Sequence, residues 1–297
     1  MLDPNTQSKR LSVSERTAAP VRAATYMTAH LPRAQTRAVD HLQLGKLVCD
    51  FMSRDTFLAI CKEWLNSNHF HHVITLNAEM AVQAEWDGEF QAAAEAADAR
   101  IPDGAGLLWA QWYIRSQFWA LMPSLVAFLF RRVERIPGVE LVRDLARMCQ
   151  EQKKPIYLLG GTKAQVEATA ARLQREFPNL KIGVSSGHEF DISGPPEILG
   201  DIQRLKPAVL LVAYGVPKQT LWIEQHRENL PSVRIAAGVG GAFAILSEDT
   251  PRAPLALQKL NMEWLWRLIL EPRRLPRIWK AVVTFPRLIA KQKALTT

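Results

Sequence analysis

The stretch from Val209 to Gln225 constrains the fold more than any other. Val209-Leu-Leu-Val-Ala213 is a run of β-formers without polar alternation, and the residues from Lys218 onward carry helical periodicity. An apolar strand with no polar face is buried on both sides, as in a parallel sheet covered by helices. Between the two halves, Gly215 permits a sharp turn and Pro217 suits the first helical position, where a missing N–H costs nothing. A strand that ends in a glycine turn and feeds a helix leaves unpaired N–H groups at the carboxyl edge of the sheet. An anion such as a diphosphate can be held there. A tight strand-to-helix connection with a solvated Lys218 accounts for the same residues equally well.

The pattern recurs along the chain. A strand followed by a helix is expected over Leu47 to Leu65, and another strand over His72 to Asn77 closes on Thr75 and Asn77. Asn77 suits either the N-cap of the next helix or a ligand contact at a strand end. Glu89 to Ala97 reads as helix, and Ala99 to Gly104 as a short strand ending on Asp103-Gly104. Asp103 is either a cap or a general base at the sheet edge. An amphipathic helix follows over Gly138 to Gln150, then a buried strand running into Gly160-Gly161, a helix from Lys163 to Phe177, and a strand over Leu180 to Val184. Pro195 to Leu205 is helical, and a last strand over Val233 to Val239 closes on Gly240-Gly241. Alternating strands and helices with glycine turns at equivalent strand ends predict an α/β fold: a Rossmann-like, mostly parallel sheet covered by helices.

Several familiar sites are excluded. Phe243 stands where the dinucleotide fingerprint needs its third glycine, and no Gly-x-x-x-x-Gly-Lys-Ser/Thr loop occurs. Asp-x-Asp is absent, and Glu189-Phe-Asp191 is read as a solvated loop. His69, His71 and His72 have no carboxylate or cysteine at ligand spacing nearby and are read as a solvated turn, so no metal is expected. Cys49, Cys61 and Cys149 form no Cys-x-x-Cys pair, which points to a reducing compartment without a disulfide framework.

Charge divides the chain. Ten basic residues face two acids from Arg252 to the C-terminus, so the tail alone carries an excess equal to the net +8 of the whole chain. Residues 1–45 read as a flexible extension rich in Ser, Thr, Ala, Pro and Arg, 46–250 as the α/β core, and 251–297 as a basic amphipathic helical appendage. In the appendage Leu257, Leu260, Trp264, Leu265, Leu268 and Ile269 share one helical face among arginines, and Pro272, Pro276 and Pro286 should break it into short helices. Tryptophan and cations on an amphipathic helix suit an anionic membrane surface better than nucleic acid; a packing helix with a solvated basic face is the plainer reading. The apolar insertion at about 116–132, nearly all apolar from Phe118 to Phe130, is too short to span a bilayer. It is a buried hairpin, an interfacial insertion or a contact within a homo-oligomer.

These junctions together resemble the WecG/TagA/CpsF family of bacterial glycosyltransferases, glycosyltransferase family 26. The residues that carry the likeness are Thr75-Leu-Asn77, Pro102-Asp103-Gly104, Ile136-Pro-Gly138, Leu159-Gly-Gly161, Gly215-Val-Pro-Lys-Gln219 and Gly238-Val-Gly-Gly-Ala-Phe243. Arg252-Ala-Pro254, Glu263-Trp264, Arg267-Leu268 and Glu271-Pro-Arg-Arg274 continue it in family order. The resemblance implies an inverting transfer of an N-acetylhexosamine, of the N-acetylmannosamine type, from a UDP-sugar to a polyprenyl-diphosphate-linked saccharide. The setting would be cell-envelope polysaccharide synthesis by a peripheral protein at the cytoplasmic face of the plasma membrane.

On that resemblance Asp103 is the base, with Thr75 and Asn77 in the same pocket. Gly104, Gly160, Gly161, Gly215, Pro217, Lys218, Gln219, Gly240 and Gly241, with Arg252, Arg267, Arg273 and Arg274, would hold donor and diphosphate without a metal or cofactor. Two positions depart from the family pattern: Thr220 and Ala244 stand where it carries acids. A catalytically silent sugar-nucleotide-binding homologue is therefore a second hypothesis, and a peripheral membrane-binding or nucleic-acid-binding protein a third.

Overall fold

The computed structural model describes residues 39–117, 120–129, 135–187 and 196–296. A hairpin of β1 (Asp40–Leu44) and β2 (Leu47–Phe51) precedes α1 (Arg54–Asn66), β3 (His71–Leu76), α2 (Ala78–Ala84), α3 (Gly88–Ala96) and β4 (Ala99–Pro102). Next come α4 (Ala105–Arg115), α5 (Leu121–Leu129), α6 (Gly138–Glu151), β5 (Ile156–Gly160), α7 (Lys163–Glu176), β6 (Ile182–Ser185) and α8 (Pro196–Leu205). Then β7 (Val209–Ala213), α9 (Lys218–His226), β8 (Ile235–Gly238) and α10 (Ala242–Leu246) complete the α/β core, and α11 (Leu255–Lys259) and α12 (Glu263–Leu270) begin the tail.

The six-stranded sheet is parallel throughout, in the order β4-β3-β8-β7-β5-β6. Period-two alternation distributes its side chains. Val73, Ile101, Ile156, Leu158, Val209, Leu211 and Ile235 face one core, which α1, α6 and α7 cover. On the other face, Ile74 and Leu76 join a second core with the hairpin, α2 and α4, while Tyr157, Leu159, Leu210 and Val212 join a third beneath α8 and α9. The expected fold class is therefore the observed one.

Three expectations need correction. First, the N-terminal extension ends before residue 45, because Asp40–Leu44 pairs antiparallel with β2 and Leu44 is buried; residues 1–38 lie outside the described residues.

Second, of the three histidines only His69 is exposed in a turn, ahead of β3. His71 and His72 are buried in β3, where His72 Nδ1 lies 2.5 Å from Glu224 and His71 3.8 Å from Asp98. Arg227 completes this cluster against Asp98 and Glu224, and His71 stacks on Trp64. Carboxylate partners distant in sequence make that burial tolerable. The Glu189–Asp191 loop lies outside the described residues, as do Phe118, Trp119 and residues 130–134 of the apolar insertion.

Third, the end of the tail is part of the core. Pro272 opens a 3₁₀ turn and Pro276 stands in the first turn of α13 (Leu275–Trp279), where its missing N–H is harmless. Pro286 does not break the chain into separate helices. A π-helical turn (Lys280–Thr284) precedes α14 (Phe285–Thr296), and its wider register absorbs the lost hydrogen bond. Phe285 and Ile289, both 0% exposed, fill the second core, and burying such a phenylalanine is worth about 1.5–3 kcal/mol. Lys293 Nζ donates to the carbonyls of Tyr113 and Ser116 at 2.6 and 2.7 Å. Gln292 donates to Gln43 O and accepts from Gly45 N–H, tying α14 to the hairpin.

Candidate active site

Because every strand of the sheet points the same way, their carboxyl ends line one edge. In sheet order that edge presents Asp103-Gly104 after β4, Asn77 after β3, Gly240-Gly241 after β8, Tyr214-Gly215 after β7, and Gly160-Gly161 after β5. Residues from five separate stretches of sequence thus meet in one row. The chain leaves β5 outward to β6 and leaves β7 back to β8, so a crevice opens between these neighbours. Gly160 makes their close approach feasible. Its φ is 109°, and a Cβ there would stand 2.8 Å from the carbonyl carbon of Ala213.

Asp103 is set by the start of α6. Gly138 N–H donates to its Oδ1 at 3.0 Å, so an unpaired helix N-terminal donor aligns the carboxylate. Gly138 in turn fits tightly under the end of β8, where a Cβ would lie 3.2 Å from Val239 O. Desolvation raises the Asp103 pKa above its usual 3.8, against the lowering effects of the Gly138 hydrogen bond and of Arg267 and Arg135; Glu263 adds to the rise. A carboxylate whose proton affinity is raised yet which retains an aligned oxygen is equipped to act as a base.

The tail reaches this point through α12. Arg135 pairs with Glu263 at 2.7 Å, and the Arg267 guanidinium lies against Gly241, with Nη1 3.2 Å from where a Cβ would be. Burial lowers the Arg267 pKa, with Arg274 lowering it further and Asp103, Glu271 and Glu263 opposing. Among the described residues no carboxylate stands within 4 Å of its guanidinium, so the cation remains available to a ligand.

The other predicted residues divide into those that brace the row and those at its margin. Thr75 is buried, and its hydroxyl donates to Gly238 O at 2.8 Å. Asn77 Oδ1 accepts from Met80 N–H at 3.0 Å, so it caps α2 while standing at the edge. Gln219 is 1% exposed; its Oε1 accepts from Gly240 N–H at 3.1 Å, and its amide fills the space a Cβ on Gly238 would need. Thr75 and Gln219 therefore shape the β8 turn from opposite sides. Pro217, joined to Val216 by a cis peptide, precedes α9 as its N-cap, one position earlier than expected. Lys218 is exposed at the same terminus, and Thr220 is buried one turn inside it.

Arg252 bonds Glu140 at 3.1 Å and Arg274 bonds Glu271 at 2.6 Å, while Arg273 is exposed on the 3₁₀ turn. These three are less directly placed on the edge than Arg267. Gly138, Arg135 and Glu263 enter the site without having been singled out as functional residues. The Pro137-Gly138 pair before an amphipathic helix was the available signal for the first, since it marks a helix start. Among the described residues no three His, Cys, Asp or Glu side chains gather as metal ligands.

A family model described as "Glycosyl transferase WecG/TagA/CpsF family" matches residues 42–297. Curated relatives carry the name N-acetylglucosaminyldiphosphoundecaprenol N-acetyl-beta-D-mannosaminyltransferase. The protein of that name from Bacillus subtilis is 30% identical over 216 residues, covering 72% of this chain and 76% of the relative. The one from Bacillus spizizenii is 27% identical over 227 residues, 76% of this chain and 80% of the relative. The one from Staphylococcus aureus is 28% identical over 221 residues, 74% and 80% of the two chains.

Proposed function

The chain belongs to the WecG/TagA/CpsF family of glycosyltransferases, and on that footing we propose that it transfers an N-acetylhexosamine of the N-acetylmannosamine type from a UDP-sugar to a polyprenyl-diphosphate-linked N-acetylglucosamine. One observation carries the reading. At the carboxyl edge of the sheet a desolvated, oriented carboxylate, Asp103, lies in the field of an arginine, Arg267, that among the described residues has no carboxylate within 4 Å.

The chemistry divides between these two groups. Asp103 takes the proton from the acceptor hydroxyl as that oxygen attacks the anomeric carbon. The bond from the anomeric carbon to the diphosphate breaks on the opposite side, so configuration inverts. Negative charge that develops on the departing UDP meets Arg267 and the backbone N–H groups of the glycine turns, already in place before reaction. Thr75 and Gln219 hold the β8 turn in shape, and Asn77 keeps its amide N–H₂ for the substrate.

The tail would bring this edge to the lipid-linked acceptor. Trp279, Leu255, Ile269 and Leu275 are all more exposed than buried, and the same tail carries exposed Arg273 and Arg287. An apolar surface with tryptophan and flanking cations is suited to the headgroup layer of an anionic membrane. Among the described residues no helix is long and apolar enough to cross a bilayer, which agrees with attachment from one side. The position of the acceptor would then be the inner face of the plasma membrane.

Acceptor-dependent UDP release tests the proposal. Full-length protein is mixed with vesicles containing a polyprenyl-diphosphate-linked N-acetylglucosamine and a panel of UDP-N-acetylhexosamines. UDP should appear only when both substrates are present, and fastest with the manno-configured donor. Release from no donor would replace transfer with silent sugar-nucleotide binding, the outcome that Thr220 and Ala244 would then explain.

A further inference from the structure

The tail completes the candidate site through α12, yet packing does little to lock that helix in place. None of its residues is fully buried, none of its apolar side chains joins the three cores, and Ile269 and Leu270 are exposed. The loop before it is anchored by Asn261, which is buried and donates to Phe128 O at 3.4 Å. Trp266 donates only to Pro251 O, at the head of the same tail. Among the described residues one ion pair joins α12 to the α/β core: Arg135 Nη1 lies 2.7 Å from Glu263 Oε2, with the side chains 16% and 31% exposed. A short, partly sheltered pair of this kind is stronger than one in open solvent.

Both ends of the pair belong to segments that already serve the site. Arg135 stands three residues before Gly138, whose N–H aligns Asp103. Glu263 and Arg267 are four residues apart on α12 and share one face, so fixing the first directs the second. Arg267 then arrives at the β8 turn, its Nη1 3.2 Å from where a Cβ on Gly241 would be. The stretch from Arg135 to Gly138 thus orients the carboxylate with its last residue and anchors the helix that bears the cation with its first.

Resting on the transfer reading above, we propose that Arg135 and Glu263 form a clasp: as positioning residues they fix α12 and so hold Arg267 at the β8 turn, where the diphosphate departs. The clasp and simple electrostatics predict opposite effects on Asp103. Desolvation raises its pKa most, and the Gly138 N–H opposes; of the facing charges, Arg267 on α12 lowers it, Arg135 before α6 lowers it less, and Glu263 on α12 raises it least. Removing the Glu263 charge alone would therefore move the acid limb of kcat/KM, which Asp103 sets, to lower pH. Releasing Arg267 moves it to higher pH, and that effect is the larger.

Glu263→Gln and Arg135→Gln in the full chain test this. Each should lower kcat about 10-fold, less than deleting the cation, because Arg267 is displaced and not removed. Each should also shift the acid limb to higher pH. In an Arg267→Ala background Glu263→Gln should cost at most ~2-fold more, since both changes disable one device. Hydrogen exchange of the α12 amides, which needs no substrate, should quicken in both variants while β3 and β8 keep their protection. If wild type transfers sugar and the Glu263→Gln limb moves to lower pH, or its cost adds in full to that of Arg267→Ala, the clasp falls and the transfer reading stands. Unchanged exchange over α12 in both variants also overturns the clasp. Absence of transfer by wild type overturns the transfer reading and the catalytic purpose of the clasp with it, while exchange still shows whether the pair holds α12.

Discussion

Asp103→Asn should lower turnover at least ~100-fold without unfolding the protein, the loss expected when a general base is removed. Asparagine keeps an oxygen where Gly138 N–H donates, so the side chain should stay aligned at the start of α6. What it loses is the capacity to take a proton. Stability should move the other way. The folded-state pKa of Asp103 is raised, so ionising it opposes folding, and wild type loses stability as pH rises from 3.8 through the shifted value. Above that window the variant should melt at or above the wild-type temperature, a usual trade at active sites. Unchanged turnover in a folded variant would remove Asp103 from the reaction.

Arg267→Ala should reduce kcat by ~10²–10³, comparable to removal of one preorganised donor from a site of developing negative charge. The guanidinium rests on Gly241 in the β8 turn, and its electrostatic neighbours include Asp103 as well as Arg274. Arg252→Ala supplies the comparison, because that side chain is exposed and already bonded to Glu140. A surface pair of this kind contributes little, about 0–1 kcal/mol, so its loss should leave turnover nearly intact. Wild-type rates in Arg267→Ala would assign the diphosphate to the backbone alone. Truncation at Arg252 is not a substitute for these variants. It removes Phe285 and Ile289 from the second core and would unfold the body along with the tail.

The sheet was legible in the sequence because buried parallel strands announce themselves as short apolar runs closed by glycine. Val209–Ala213 and Ile156–Gly160 were bounded to within two residues for that reason. The row of candidate residues along the sheet edge was legible too, since topology places all strand ends together. What sequence could not reveal was which polar groups are already spent. Gln219 read as a ligand contact, yet its amide is enclosed against Gly238 and bonded to Gly240. His71 and His72 read as solvated because Asp98 and Glu224, the carboxylates they meet, are 26 to more than 150 positions away in the chain. The tail shows the same limit. Basic amphipathic helices look alike whether their apolar face meets lipid or protein, and here α14 turns it inward while α11 to α13 leave apolar side chains exposed.

The claim that Asp103 is the base is tested most directly by the pH dependence of kcat/KM, which reports ionisations of the free enzyme. A base is active only when deprotonated, so wild-type activity should rise with pH along an acid limb whose inflection lies above 3.8, the direction in which desolvation moves this carboxyl group. The residual activity of Asp103→Asn should lack that limb. An identical limb in both proteins, or a wild-type inflection at or below 3.8, would contradict the account.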